Sequence, residues 1–159
     1  AGGHLSTPHE DHEMKKFAFP LRSVAIVRNS RESQARQAFA AAVHTLALAE
    51  ETLAEARRGL DELREMLLNR RSMIYRAPDQ AAFLTAFQME TRREMEAHCA
   101  VVEAQSKVQQ KRQEWMTARQ GVRVVQNLEN KARAVHRHEV ERAEQSTLDD
   151  LAMHCSPSL

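Results

Sequence analysis

The sequence predicts an all-α fold, a long antiparallel two-helix coiled-coil hairpin, on three observations. Phe39, Leu46, Leu53, Leu60, Leu67 and Ile74 recur every seven residues, and Ala35, Ala42, Ala49, Ala56 and Leu63 each precede a member of that series by four. Alternating steps of three and four form the seam of one helix wound against another. A second stretch repeats the pattern, with Val101, Val108, Trp115 and Val122 at sevens and Ala97, Ala104, Ala118 and Val125 between them. Ala77-Pro78-Asp79, the strongest punctuation in the chain, separates the two. Large residues at one seam position and alanine at the other let the backbones approach closely, because interaxial distance follows side-chain size.

Composition agrees. The chain has 159 residues, 4% of them aromatic, with four glycines and four prolines. That length defaults to one domain, and a content dominated by Ala, Arg, Glu, Gln and Leu is that of long helices. Stability must come from many thin layers along a seam. A net charge of +1 gives no strong pull toward nucleic acid or a lipid surface. The sign is uneven: residues 1–13 hold Glu10, Asp11 and Glu13 without a Lys or Arg, which leaves the remainder at +4. Cys99 and Cys155 are far apart and make no disulfide framework, which fits a reducing compartment. No apolar run of about 18 residues occurs, and the start lacks the layout of a secretory signal. These features place the chain in the cytoplasm, without direct membrane insertion.

In chain order, residues 1–16 are polar and aperiodic and read as disordered. At their end, Met14-Lys15-Lys16, followed by Phe17, would make a natural translation start. Phe17-Ala18-Phe19-Pro20-Leu21 is an apolar lead-in, and Pro20 suits a helix's first turn, where its missing N–H costs nothing. From Leu21 to Tyr75 there is no further proline, and Gly59 is the one glycine. An interior glycine costs roughly 1 kcal/mol relative to alanine, too little to stop so long a helix. Asn29-Ser30 is its weak point. Pro78 pushes Ala77 away from helix, and Asp79 is then a good N-cap for Gln80, so a turn is expected near 76–79. A second helix runs to about Met153 through Gly121, followed by a frayed tail, 154–159.

Pairing the helices antiparallel about residue 77 sets Trp115 against Phe39, Val108 against Leu46, Val101 against Leu53 and Phe87 against Leu67. Glu94 opposite Leu60 is the flaw. Each arm is about 80 Å or longer at about 1.5 Å per residue. Phe19 faces Val135 in this register, so residues after about His138 have no partner. Val140, Ala143, Leu148 and Leu151 nevertheless keep an apolar stripe there, and an unpaired stripe marks an interaction surface.

Catalytic chemistry is not supported. His9-Glu10-Asp11-His12-Glu13 holds potential metal ligands, but no H-E-x-x-H spacing accompanies it. His136 and His138 are two apart and cannot share a helix face, and the His98-Cys99 and His154-Cys155 pairs lack a second ligand pair for zinc. No glycine-rich loop cradles a phosphate, and two paired helices offer no concave pocket. No catalytic residue, metal or cofactor is expected, and any ATP chemistry belongs to a partner. Trp115 reads as core against Phe39. Tyr75 and Phe83, near the turn, either anchor a partner or cap the seam.

Lys16-Phe17-Ala18-Phe19-Pro20-Leu21-Arg22-Ser23-Val24 resembles the opening of the FliJ/YscO proteins of type III export. Leu128-Glu129-Asn130-Lys131, with Glu141-Arg142-Ala143-Glu144-Gln145 and Asp149-Asp150 beyond it, is similar to that family's closing signature, a Glu-Gln pair ahead of an acidic pair. The likeness spans Met14 to Met153, and Ser146 stands where a lysine commonly follows the Glu-Gln pair. It implies a non-catalytic central stalk of a flagellar or injectisome export ATPase, peripheral to the inner-membrane export apparatus. The implied partners are the hexameric export ATPase, the export gate membrane protein and, for some members, export chaperones. Carried onto this chain, the ring-facing end is Phe17, Phe19, Leu21 and Val24 with Leu128, Glu144, Gln145, Leu148 and Asp149. The gate-facing tip is Leu67, Met73, Ile74 and Tyr75 with Phe83, Leu84 and Phe87.

Basic residues crowd the ring-facing end: Lys15, Lys16, Arg22, Arg28 and Arg31 on one helix, and Arg119, Arg123, Lys131, Arg133, Arg137 and Arg142 on the other. They suit an acidic collar, whose rim charges set orientation and on-rate more than affinity; the bland alternative is a solvated face. A second function class is a cytosolic coiled-coil chaperone or adaptor that holds exported proteins on exposed Met, Ala and Leu surfaces.

Overall fold

The computed structural model describes residues 16–70 and 77–154. They form two helices, α1 (Arg22–Arg70) and α2 (Ala77–His154), with no strand among the described residues. The expected all-α, antiparallel two-helix fold is the one found. Neither Gly59, nor Asn29-Ser30, nor Gly121 interrupts its helix.

Both helix starts differ from expectation for local reasons. The Phe19 carbonyl accepts a hydrogen bond from the Arg22 N–H at 3.2 Å, and the Ala25 N–H donates to the Leu21 carbonyl at 2.9 Å. Pro20 therefore stands in the turn that feeds α1, one step ahead of the first helical turn, where its fixed φ suits the second turn position. Residues 77–79, expected as the connecting turn, are instead the first turn of α2. The first four N–H groups of a helix have no intrahelical acceptor, so Pro78 loses nothing there. Asp79 is thus not an N-cap; its carboxylate lies in the first turn, where the helix dipole favours negative charge. Met73, Ile74 and Tyr75 lie outside the described residues.

The chain divides into two compact units, residues 27–122 and residues 1–26 with 123–159. In the 27–122 unit, Leu53, Ala56, Leu60, Ala97, Val101 and Ala104 are buried, Ala56 completely. Leu53, Ala97 and Val101 form one cluster, with Leu46 and Ala49 packed against it. The Phe39 and Trp115 rings stack with centroids 5.5 Å apart and planes 14° from parallel. The Phe39–Trp115 and Leu53–Val101 pairings of the sequence register are thus present. The indole N–H of Trp115 also donates to the Glu32 carboxylate at 2.7 Å, and the Arg119 guanidinium lies 5.8 Å from its ring centroid. Lys111 donates to Glu114 at 2.8 Å, and that hydrogen bond holds the Glu114 carboxyl below the usual carboxylate range.

The polar flaw at Glu94 is resolved from across the helix pair. Arg57 Nε donates to Glu94 Oε1 at 3.2 Å, while Leu60 stays 94% buried beside them. A weaker cross-helix pair, Glu55 with Arg93 at 3.9 Å, lies close by in sequence. Glu90 brings a second carboxylate toward the seam, where its Oε2 is shielded from solvent without a hydrogen-bond partner. A side chain at Gly59 would put a Cβ 3.1 Å from that oxygen, so the glycine makes the room.

In the other unit, residues 16–26 and 123–154 are described. Val125 is buried. Phe17 meets His136 edge-on, with ring centroids 5.5 Å apart and planes at 68°. The Arg133 guanidinium lies 5.1 Å from the Phe17 centroid and donates to Glu129 at 2.7 Å. Of the expected pair Phe19 and Val135, Phe19 is half-buried and Val135 is 58% exposed. Residues 17–19 precede α1 and are not helical, so a pairing rule that assumes one helical residue per step fails on them. The sevens of α2 continue from Trp115 and Val122 to Glu129 and His136, which explains why His136 receives the aromatic.

Candidate interaction surface

Among the described residues, the C-terminal part of α2 is the longest stretch of helix with every side chain exposed. Val140 is half-buried, and every residue from Glu141 to His154 is exposed. Leu148 is 60% exposed, Leu151 58% and Met153 79%. In helical geometry Glu144, Leu148 and Leu151, at steps of four and three, share one face, with Val140 one turn before Glu144. Leucines in such positions would normally be covered, so this face suits a partner. Local hydrogen bonds keep the segment helical: Gln145 Nε2 donates to Asp149 Oδ1 at 3.0 Å, and the Thr147 hydroxyl donates to the Ala143 carbonyl at 2.9 Å.

The nine residues expected to face the ring all lie in this unit, but not in one condition. Leu148, Glu144, Gln145 and Asp149 are freely exposed. Leu21, Val24 and Leu128 are about two-fifths exposed, at 40%, 39% and 43%. Phe17 and Phe19 are half-buried, with Phe17 engaged on its own α2. Leu151 and Met153 extend the exposed apolar set. Arg133 and His136, which hold Phe17, could have been found by continuing the α2 sevens into polar residues.

An open groove beside Phe17 is lined by Asn130, Arg133, His136 and Arg137. Its basic character continues in Lys16, Arg22, Arg123 and Lys131, against Glu129 alone, so residues 16–26 and 123–138 carry a net +5. The sign then reverses. Residues 139–154 hold Glu139, Glu141, Glu144, Asp149 and Asp150 against Arg142 alone, a net −4.

The expected tip residues belong to the 27–122 unit. Phe83 and Phe87 stack on each other with centroids 6.3 Å apart, which partly occupies both rings. Leu84 and Leu67 are exposed, at 53% and 40%. Among the described residues, no group of three or more His, Cys, Asp or Glu side chains is placed to hold a metal ion; the run His9–Glu13 lies outside them. No described helix is long and apolar enough to cross a membrane.

A family model described as flagellar FliJ protein matches residues 17–156. No curated protein and no solved structure matches the chain. The match covers both helices and includes the opening and closing stretches on which the resemblance was read. On this evidence of length and pattern together, the chain belongs to the FliJ family, a family of non-catalytic components of the flagellar export apparatus.

Proposed function

We propose that this protein is the central stalk of the flagellar export ATPase. The 16–26 and 123–154 segments enter the pore of the hexamer, and residues around Leu67, Phe83, Leu84 and Phe87, with Met73, Ile74 and Tyr75, reach the export gate. The observation that carries the reading is the uncovered apolar face at Leu148 and Leu151 on an otherwise regular helix. Such a face is stable in water only at a cost in exposed apolar area, roughly 25 cal/mol per Å², and a surrounding pore removes that cost. A single helix pair inside a six-fold ring contacts its subunits unequally. It can shift their nucleotide states only through those differences in contact energy. In this role the protein is cytoplasmic, peripheral to the membrane, and carries no ATP chemistry itself.

Leu148→Asp places a charge in the proposed contact while leaving a solvent-exposed helix position intact. It is expected to abolish association with the hexameric ATPase and stimulation of its turnover, with helix content by circular dichroism unchanged. Wild-type association by the variant would show that this face docks elsewhere.

Exposed methionines favour the second reading, a chaperone or adaptor for exported proteins: Met89 is 67% exposed and Met95 64%. Flexible thioethers suit promiscuous apolar binding. ATPase turnover measured with and without the protein separates the two, because a client-binding adaptor has no reason to change it.

A further inference from the structure

From the charge reversal along α2 we infer the chemistry of the surface that receives its end: an apolar cleft that supplies a lysine or arginine to Glu144, bordered further out by acidic groups. This inference rests on the stalk reading and refines it. It also narrows the acidic collar to the stretch before Glu139, where the net charge is positive.

The reasoning begins with position. Glu144 is not on the polar back of the helix. It lies on the face of Leu148 and Leu151, one turn before Leu148, and all three are exposed. Any partner that covers the two leucines also covers the carboxylate between them and Val140. A carboxylate removed from water without a counter-charge costs several kcal/mol even after relaxation, so a purely apolar cleft would reject this helix. Glu141, one turn before Gln145 and beside Glu144, adds to the same demand. Asp149, held by Gln145 at 3.0 Å, and Asp150 flank the face and add to the negative field a basic cleft would read.

The preceding stretch asks for the opposite sign. Arg133, Arg137 and Asn130 line one groove beside Phe17, and the net charge there is +5 against −4 beyond it. A receptor of uniform sign would be repelled by one band or the other. One with basic groups at its floor and acidic groups at its mouth accepts this end in a single direction, because electrostatic complementarity sets register and excludes wrong poses. The exposed helix runs about 20 Å from Glu141 to His154 at about 1.5 Å per residue, which is the depth required of the cleft.

The test uses the full chain and the purified ATPase hexamer, with affinity measured at low and high salt for wild type, Glu144→Gln, Glu144→Lys and Arg137→Glu. Glu144→Lys is expected to weaken binding by at least about tenfold, Glu144→Gln by less, and Arg137→Glu to weaken it with a reduced salt dependence. Circular dichroism should be unchanged for each, since these side chains are exposed. If Glu144→Lys binds like wild type while Leu148→Asp does not, the stalk reading survives and the basic cleft is wrong. If wild type itself does not bind the hexamer, the stalk reading falls and this inference falls with it. A wild-type chain that instead dimerises by light scattering, with the dimer lost in Leu148→Asp, would assign the face to a second copy and overturn the cleft.

Discussion

At the scale of single residues, the two helical glycines mark places where a long polar side chain crosses its neighbour. Gly59 lies under Glu90, and Gly121 lies under Arg28, whose Nη1 would be 2.8 Å from an added Cβ. Alanine recovers roughly 1 kcal/mol of helix propensity at either position, and the opposing cost is the shift of the overlying group. Glu90 must yield a few tenths of an ångström from 3.1 Å and can swing toward Arg93, already 3.8 Å away. Arg28 must move further. Gly59→Ala is therefore expected to raise stability by about 0.5–1 kcal/mol, with a smaller gain for Gly121→Ala, measured by urea denaturation. A reversed order would show that the Glu90 position is more constrained than its geometry suggests. Neither crossing could be read from the sequence, because a glycine in a heptad pattern signals only a small residue.

At the scale of the helices, the seam itself was legible because a 3.5-residue repeat survives in any coiled-coil helix. Leu53 with Val101 and Phe39 with Trp115 followed from counting alone. The Glu94 position did not, because its partner Arg57 lies off the seam and reaches in along its own side chain. Two cross-helix ion pairs, Arg57–Glu94 and Arg93–Glu55, flank the buried layers of Leu53, Ala56 and Leu60. They favour this register over its slips. A double-mutant cycle on Arg57→Ala and Glu94→Ala should give a coupling of about 0.5–1 kcal/mol, since Arg57 remains largely exposed. A coupling indistinguishable from zero would mean that the apolar layers alone hold the register. The start of α1 shows the complementary limit: the arithmetic that set Phe19 against Val135 assumes a helix, and residues 17–19 are not helical.

At the scale of the whole molecule, burial is unevenly divided. Among the described residues, six of the seven buried apolar residues lie in the 27–122 unit, and Val125 lies in the other. Local opening free energy follows buried apolar contact. Amide exchange should therefore be slowest around Leu53–Leu60 and Ala97–Ala104 and fastest across 141–154. Binding of the ATPase should slow exchange selectively in that last stretch. Uniform protection along α2 in the free protein would contradict this division. Counting apolar residues was enough to establish an all-helical, antiparallel fold and an apolar stripe near the C-terminus, because periodicity in one chain encodes which faces must meet; the family was legible only in the short motifs at the two ends. Only the folded structure decided that Phe17 closes on His136, that Arg57 neutralises Glu94 and that Glu144 shares the exposed leucine face without cover from the described residues. Those outcomes depend on where flexible side chains end in space, and a linear spacing rule carries no information about reach.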